Sequence, residues 1–300
     1  MVAAVLGGWI LVAVTGCIPP ANPVEDAAES VSKASDAAEK KPADHAAEAV
    51  SKESDAAKKQ PVDKDWGTLK LRFLYQGKPP EPTPLIGVER AKTLGIPLPL
   101  SQDLAVGAQG ELANVFVYLL PAEDQTVKIH TDYDKLIGEP VRLTAKAGIF
   151  SPHALTVWTK RPLELVNASG DAYAPMVNMQ ANSSFHLMLP SQTSLRRILP
   201  KNETLPAPVA NANANWMKAW LLVRDNPYMA VSSKDGTLTI KNLPVGEWEF
   251  QLWHEKWGYL SKVAWNGKST AWYRGRPTFT IKPGENDFGT VKVDPKAFEK

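Results

Sequence analysis

Histidines are the residues of this chain best suited to hold a metal ion. Four of the five follow residue 100, namely His130, His153, His186 and His254. Neutral imidazole binds both copper and zinc. No two of these histidines form an HxH or HxxxH pair, so any metal site must be assembled by folding alone. His153, His186 and His254 are therefore weak candidate ligands, and His254 has the simpler interpretation of a core histidine hydrogen-bonded to the backbone.

The short signatures of common catalytic sites do not occur in this chain. There is no G-x-S-x-G, H-E-x-x-H, G-x-x-x-x-G-K-[ST] or G-x-G-x-x-G. The single cysteine, Cys17, excludes an internal disulfide framework, a Cys-rich zinc site and an iron–sulfur cluster. A formal net charge of +2 is too small to indicate a nucleic-acid partner. We therefore expect a protein that is not an enzyme and that binds no nucleic acid.

Aromatic residues are concentrated near the C-terminus, within 26 consecutive residues. Their rings could stack on sugars or fill a protein interface. Trp253 is expected on the outer face of a strand, and Trp257 and Tyr259 in a loop, so these three form a candidate ligand surface. The alternative is that most of the aromatic residues fill the core and its edges. The whole set is Trp248, Trp253, Trp257, Tyr259, Trp265, Trp272 and Tyr273.

The elements that must position these residues are β-strands. Alternation of apolar and polar residues with a period of two predicts a strand at Leu69–Tyr75. In Val115–Leu120 the odd and the even positions are both apolar, as in a strand that is buried on two faces. Each proline removes a ladder donor, so the proline-rich run Pro79–Pro99 is predicted to be a loop or covering segment. Turn clusters fall at Ser233–Gly236 and Asn242–Gly246. The other predicted strands are His153–Thr159, Leu163–Asn167, Ala219–Arg224, Thr237–Lys241, Glu247–His254 and Thr278–Ile281.

This succession of short strands predicts an all-β fold, a Greek-key sandwich or barrel. In the strand Glu247–His254, Trp248, Phe250, Leu252 and His254 share one face, which we expect to be the core face. Glu247, Glu249, Gln251 and Trp253 share the opposite face, which is expected to be solvated.

The N-terminal segment predicts export and lipid attachment. Residues 2–16 are apolar but too short to span a membrane, and they fit the apolar region of a secretory signal peptide, predicted at 1–16. Val14–Cys17 resembles the bacterial lipobox. In that family the cysteine is acylated and becomes the first residue of the mature chain. The resemblance implies a lipid on Cys17, a membrane anchor and an extracytoplasmic location in the cell envelope, in the outer membrane or facing the periplasm.

Residues 17–65 are predicted to be a disordered tether. Residues 18–65 contain no aromatic residue, and AESVSKASDAAEKKP (28–42) recurs as AEAVSKESDAAKKQP (47–61). So few apolar groups cannot offset the ordering entropy of a packed core. Nine of the ten tryptophans follow residue 65, so the folded domain is predicted at 66–300.

Several segments of the folded part resemble bacterial extracytoplasmic cupredoxin-like (plastocyanin-like) proteins, including those labelled methylamine-utilisation-like. The DG…LPxG segment, Asp235-Gly236 to Leu243–Gly246, is also similar to carboxypeptidase regulatory-like modules. The resemblance implies a cupredoxin-like sandwich over 66–300. The segments that carry it are Asn114–Leu120, Phe150–Val157, Leu163–Asn167, Asn215–Trp220, Pro227–Val231, Asp235–Gly236, Leu243–Gly246 and Trp253–Glu255.

In that family a copper ion is held by two histidines, a cysteine thiolate and a weak methionine. The resemblance aligns a His-Asn pair with Pro175-Met176, and a Cys-x-x-His-x-x-Met run with Asn211, Ala214 and Met217. Only Met217 keeps a ligand type. We therefore expect no cofactor, copper included.

Three functions stay open at this point. The first is a non-enzymatic, lipid-anchored β-sandwich protein with a binding or structural role, whose partner is a glycan or an envelope protein. The second is a copper or electron-transfer protein with a rearranged set of ligands drawn from His153, His186, Met217 and His254. The third is a carbohydrate-binding module that uses Trp253, Trp257 and Tyr259.

Overall fold

The protein is described by a computed structural model over residues 64–298. The predicted signal peptide, Cys17 and nearly all of the predicted tether lie outside the described residues. Within them the chain forms nineteen β-strands, and the all-β prediction is confirmed. The strands are β1 Trp66–Tyr75, β2 Phe116–Leu120, β3 Val141–Lys146, β4 Ile149–Ser151, β5 Ala154–Trp158, β6 Leu163–Asn167, β7 Pro175–Val177, β8 Phe185–His186, β9 Ser194–Arg197, β10 Ala207–Asn211, β11 Lys218–Arg224, β12 Met229–Val231, β13 Thr237–Pro244, β14 Gly246–His254, β15 Gly258–Tyr259, β16 Lys262–Trp265, β17 Lys268–Ala271, β18 Thr278–Ile281 and β19 Gly284–Val293.

Helical structure in the described residues is limited to short segments. The only α-helix among them is α1, Val88–Thr93, and short 3-10 helices occur at Thr131–Leu136, Tyr273–Gly275 and Pro295–Phe298. None of these helices is long and apolar enough to cross a membrane.

The strands form two sandwiches, one inserted into the other along the chain. The first sandwich packs the sheet β13-β1-β19-β16-β17 on the sheet β12-β2-β14-β15, with β18 paired to β14. The second packs β5-β11-β10-β7-β8 on β4-β3-β6-β9. All strands of the second sandwich lie between β2 and β12 in the sequence. The first sandwich is closed by the parallel pairing of β1 with β19, which joins the two ends of the described chain.

Each sandwich has its own apolar core. The first is built around Leu71, Phe73, Phe250 and Phe279, and the second around residues such as Leu165. The period-two alternation that predicted β1 is what places Leu71 and Phe73 inward while Arg72 is exposed. Residues 66–300, which the sequence assigned to one sandwich domain, thus contain two sandwiches around separate cores. The boundary at residue 65 stays a prediction.

A third apolar cluster joins the two sandwiches. Phe116, Tyr118 and Trp253 of the first sandwich pack with Ala154 and Leu222 of the second. The molecule therefore has four sheet layers, and β2 lies in an inner layer. Four of its five residues are buried, as its continuous apolar sequence predicted.

The turn Ser233–Gly236 shows why a glycine is needed at a close approach. Gly236 has a φ of +75°, and its carbonyl accepts a hydrogen bond of 2.8 Å from the backbone N–H of Phe73. A Cβ at this position would lie 2.3 Å from the Phe73 carbonyl oxygen. The predicted turn is confirmed. The turn predicted at Asn242–Gly246 is largely strand, since β13 continues through Pro244 and β14 begins at Gly246. The chain crosses from one sheet of the first sandwich to the other between these two residues.

The proline-rich segment covers one end of the second sandwich, as predicted. It contains α1, whose Arg90 guanidinium lies 5.0 Å from the centre of the Trp216 ring. The isolated bridge between Pro84 and Leu100 closes the segment on itself. We call residues 79–103 the covering segment.

A buried carboxylate fixes another loop of the second sandwich. Glu203 is 1% exposed, and its carboxylate accepts hydrogen bonds from the backbone N–H groups of Gln180, Ala181 and Asn182 and from the Asn182 side chain. Burial alone would raise the pKa of Glu203, but these four donors outweigh it and the pKa is lowered.

Candidate functional site

The positions that the resemblance assigns to copper ligands meet at one end of the second sandwich. β10 pairs with β7 so that Asn211 lies directly opposite Pro175. The chain then turns back toward β11, which brings Met217 next to Asn211. The Asn211 side-chain amide donates to the Met217 Sδ at 3.3 Å.

The residues at this end do not fit a copper ion. Pro175 and Ala214 offer no side-chain ligand atom. The Oδ1 atom of Asn211 accepts hydrogen bonds from the N–H groups of Ala174 and Asn213, at 2.9 and 3.2 Å. Met217 is 1% exposed and supplies one thioether, which already accepts from Asn211. A blue-copper centre uses two imidazoles, a thiolate and a thioether. A single thioether beside an amide whose oxygen and nitrogen are already hydrogen-bonded does not supply that set.

The three candidate histidines lie in different surroundings. His186 is exposed on β8, an edge strand of the second sandwich, opposite Met176 of β7. His254 is fully buried at the end of β14, and His153 precedes β5. In residues 64–298 no group of three or more His, Cys, Asp or Glu side chains is arranged to hold a metal ion.

His254 is a neutral core histidine. Its ring lies 4.8 Å from that of Trp257, and its Nδ1 accepts a hydrogen bond of 3.2 Å from the backbone N–H of Lys256. Burial lowers the pKa of His254 to about 3. The core-face prediction for Trp248, Phe250 and His254 is therefore confirmed.

The predicted aromatic ligand surface is not a continuous exposed face. Trp253 lies on the face of β14 opposite to the core, as predicted, but its expected exposure is wrong. It is 7% exposed because the second sandwich covers it, and its ring lies 4.9 Å from that of Trp220. Trp257 is half-buried against His254 and Phe298. Tyr259 is also half-buried.

A cavity of about 460 Å³ lies where the covering segment meets the second sandwich and the end of β14. We call it the junction cavity. Its lining combines hydroxyl, amide, carboxylate, imidazole and ammonium groups with an apolar wall. The lining residues are Thr83, Leu85, Ser101, Gln102, Asp103, Ile149, Phe150, His153, Asn215, Trp216, Met217, Lys218 and Glu255.

Within this cavity, His153 is held by two residues from distant parts of the sequence. Its Nε2 is hydrogen-bonded to the Oε1 of Glu255, and the other carboxylate oxygen of Glu255 accepts from the Trp220 indole N–H at 2.7 Å. The backbone carbonyl of His153 accepts from the backbone N–H of Trp220 at 2.8 Å. The His153 and Glu255 side chains are only 6% and 9% exposed.

The rim of the cavity carries a separate ion pair. Lys256 Nζ lies 3.3 Å from Asp103 Oδ2, and the Ser101 hydroxyl donates to the other carboxylate oxygen of Asp103. Partial burial tends to raise the pKa of Asp103, but the hydrogen bonds from Ser101 and Lys256 prevail and lower it. Asp103 is therefore a carboxylate at neutral pH.

The sequence identified His153 but not the partners that fix it. Glu255 stands directly after His254, in a Trp-His-Glu run that the resemblance singled out, where the histidine is the more obvious functional residue. Trp220 lies in an apolar strand, and nothing in its neighbourhood marks it as a hydrogen-bond donor to a carboxylate. The signal that was available is a charged residue immediately after a buried strand.

Comparison with known proteins gives no family assignment. No family model matches the chain, and no curated protein matches it. Solved structures with similarity include a Cu-containing nitrite reductase (NirK) from Thermus scotoductus SA-01, at 14% identity and a TM-score of 0.26 over 35% of this chain. The match covers 25% of the length of that enzyme.

Two smaller proteins are similar over almost their whole length. They are a purple cupredoxin from Nitrosopumilus maritimus, at 10% identity and a TM-score of 0.24, and amicyanin from Paracoccus versutus, at 7% identity and a TM-score of 0.26. The matches cover 28% and 36% of this chain, and 99% and 97% of those chains. The β-sandwich architecture of this chain rests on its own strands and their pairing.

Proposed function

We propose that the chain is a lipid-anchored, extracytoplasmic binding protein without enzymatic activity, whose cupredoxin-like sandwich does not hold copper. The observation that carries the proposal is the buried amide of Asn211, at the position that the resemblance gives to the copper thiolate. Both of its polar atoms are engaged, with backbone N–H groups and with Met217. An amide does not ionise to a soft anionic ligand, so this end of the sandwich lacks the group on which copper electron transfer depends.

The membrane is the proposed partner of the N-terminus. Cys17 follows an apolar segment at the spacing of a lipobox, and a tether of 48 residues (18–65) follows it. As a coil, such a segment spans roughly 40 Å root-mean-square, enough to lift the sandwiches off a membrane surface. The proposed ligand is a glycan or an envelope protein, and nucleic acid is not expected to bind.

The anchoring is tested by expressing the full chain in a bacterium beside a Cys17→Ser variant. The wild-type chain should partition into the membrane fraction, and mass spectrometry should find diacylglycerol on Cys17. The variant should leave the membrane fraction. Equal partitioning of the two proteins would overturn the anchoring.

The loss of copper is tested separately by titrating the purified full chain with Cu²⁺ and with Cu⁺. We expect no stoichiometric tight binding and no Cu–thiolate absorption. A tightly held copper ion with a defined electron-paramagnetic-resonance spectrum would overturn this part of the proposal, and would favour the rearranged set of His153, His186, Met217 and His254.

A further inference from the structure

A second cavity, of about 430 Å³, lies where β5, β12 and β13 meet. We call it the basic cavity. Strands of both sandwiches contribute to its lining, and so does the 3-10 helix Thr131–Leu136. Its volume is within the range of roughly 300–1,000 Å³ that is typical of small-molecule sites. The basic cavity is therefore large enough for a small organic ligand.

The lining of the basic cavity contains three cationic side chains and one carboxylate. The cations are Lys135, Arg161 and Lys241, and the carboxylate is Asp132. Lys135 and Lys241 are exposed, and neither forms an ion pair in the described part of the chain. Asp132 already accepts a hydrogen bond of 2.9 Å from the side-chain amide of Asn242. The cavity therefore carries an excess of positive charge whose ammonium groups are open to a ligand.

The guanidinium of Arg161 is held by backbone groups rather than by a carboxylate. Its Nε and Nη2 donate to the carbonyls of Glu139 and Pro140, at 2.9 and 3.3 Å. Burial lowers the pKa of Arg161, and the charge of Glu139 offsets this effect only in part. An arginine nevertheless stays protonated at neutral pH. Arg161 therefore adds a half-buried positive charge to the two exposed lysines.

Much of the remaining lining is apolar. Leu136 and Met229 are half-buried, so part of each apolar side chain is left uncovered. Tyr133 ties the 3-10 helix to the strands, because its hydroxyl donates to the Lys241 carbonyl at 2.7 Å and its ring lies 6.5 Å from that of Trp158. A ligand bound here therefore contacts cationic groups and apolar surface in a cavity whose walls are already fixed.

These conditions select an organic anion over other classes of ligand. A neutral molecule gains nothing from the unpaired cations, whereas a hydrogen bond from an ammonium or guanidinium group to an anion is about twice as strong as one between neutral groups. A cation would be repelled by the two lysines. In residues 64–298 no group of three His, Cys, Asp or Glu side chains is arranged to hold a metal ion. An inorganic anion would leave the apolar part of the lining uncovered.

We propose that the basic cavity binds a small organic anion, whose carboxylate or phosphate group contacts the three cations and whose apolar part packs on Leu136 and Met229. The inference goes beyond the proposed function, which assigns no small-molecule site. It depends neither on a lipid at Cys17 nor on the absence of copper.

The test is calorimetric titration of the full chain in a non-ionic detergent with benzoate, cyclohexanecarboxylate and phenyl phosphate, each up to about 10 mM, well above a Kd of about 1 mM. At least one should bind, and comparison of the carboxylates with the phosphate ester shows which anionic group is preferred. Benzamide and cyclohexanecarboxamide keep the apolar part without the charge, and should bind at least about tenfold more weakly. Raising the NaCl concentration from about 50 mM to about 500 mM should weaken anion binding, because salt screens exposed charges.

Two variants test the site itself. Lys135→Gln and Lys241→Gln each remove one exposed charge with little risk to folding, since neither ammonium group has an ion-pair partner in the described part of the chain. Each should weaken binding by about twofold to fivefold, and the double variant by about tenfold. Lys218→Gln is the matched control, because Lys218 is an exposed lysine that lines the junction cavity instead, and the affinity should not change.

Four outcomes would contradict the inference. Weaker binding in Lys218→Gln with none in the other two variants would overturn the proposed site in favour of the junction cavity. Equal affinity for the anions and their amides would overturn the ligand class. Inorganic phosphate that binds as tightly as phenyl phosphate would overturn the apolar contact. Failure of every anion to bind would overturn the whole inference, while the outcomes for Cys17 and copper would stand by themselves.

Discussion

The buried His254 should make the stability of this protein depend on pH. Because its side chain is fully buried, its pKa is lowered to about 3 in the folded protein, whereas an exposed histidine in the unfolded chain titrates near its ordinary value of about 6.5. Between these values the unfolded state binds a proton that the folded state does not. Stability therefore falls as the pH drops below about 6.5, and this loss continues until the folded pKa is reached.

The magnitude follows from the two pKa values. Relative to pH 8, protonation of this one residue in the unfolded chain lowers the free energy of unfolding by about 2 kcal/mol at pH 5 and by about 3 kcal/mol at pH 4. A loss of this size is a large part of the marginal stability of a domain, which is about 5–15 kcal/mol.

The assay is urea unfolding at several pH values, followed by tryptophan fluorescence, for the wild-type chain and His254→Phe. The phenylalanine keeps an aromatic ring against Trp257, so the variant folds but does not titrate here. The difference in unfolding free energy between the two proteins should change by about 2 kcal/mol between pH 8 and pH 5. The control Ile281→Val, in the same core, should lower stability by about 0.5–1.5 kcal/mol equally at all pH values. Parallel pH profiles for wild type and His254→Phe would refute the reasoning.

Three further predictions concern other buried groups. Glu203→Gln should destabilise the protein by about 1.5–3 kcal/mol at neutral pH. Because the pKa of Glu203 is lowered in the folded protein, the stability difference between wild type and variant should vanish as the pH falls from about 4.3 through that folded pKa. A stability difference that stays constant in acid would contradict this prediction. Trp253→Ala should cost about 3–5 kcal/mol in chemical denaturation, whereas a loss below about 0.5 kcal/mol would mean that the ring is exposed after all. The triple substitution Pro175→His, Asn211→Cys and Ala214→His should give a copper-dependent visible absorption band, and a colourless copper-loaded variant would show that these positions do not converge as described.

Much of the strand content could be predicted from local patterns. The bounds predicted for Leu163–Asn167 and Thr278–Ile281 are those observed for β6 and β18. Alternation also gave the correct core face of β14, since Trp248, Phe250 and Leu252 are buried in the first core. These predictions succeed because the period of two is a property of each strand by itself.

What covers the second face of a strand could not be predicted in the same way. The outer face of β14 begins with Glu247, which is exposed, and continues to Gln251 and Trp253, which are 2% and 7% exposed. The sequence of β14 contains acids on this face, so a solvated face was the natural expectation. Trp253 is covered by the second sandwich, whose strands belong to residues 141–224, whereas the Gln251 amide donates to the backbone carbonyls of Arg274 and Gly275. Burial here is decided by a distant part of the chain.

The candidate site was equally out of reach of local reasoning. His153 and Glu255 are 102 residues apart, and Trp220 comes from a third segment, the parallel neighbour of β5. None of these three residues has a spacing that marks a site. Only the stacking of two sandwiches brings the carboxylate to the imidazole.

Three consecutive residues at the end of β14 explain why the site requires both sandwiches. Alternation sends Trp253 into the cluster between the sandwiches and His254 into the core of the first. Glu255 lies beyond the strand, and its side chain reaches His153 and Trp220 of the second sandwich. The same short segment thus packs in the core of the first sandwich, contacts the second sandwich and orients the imidazole of His153 in the junction cavity. A change that shifts the end of β14 by one residue would exchange these environments, burying a carboxylate in an apolar core and releasing His153. The buried histidine of the second sandwich is thus oriented by a carboxylate that the first sandwich supplies.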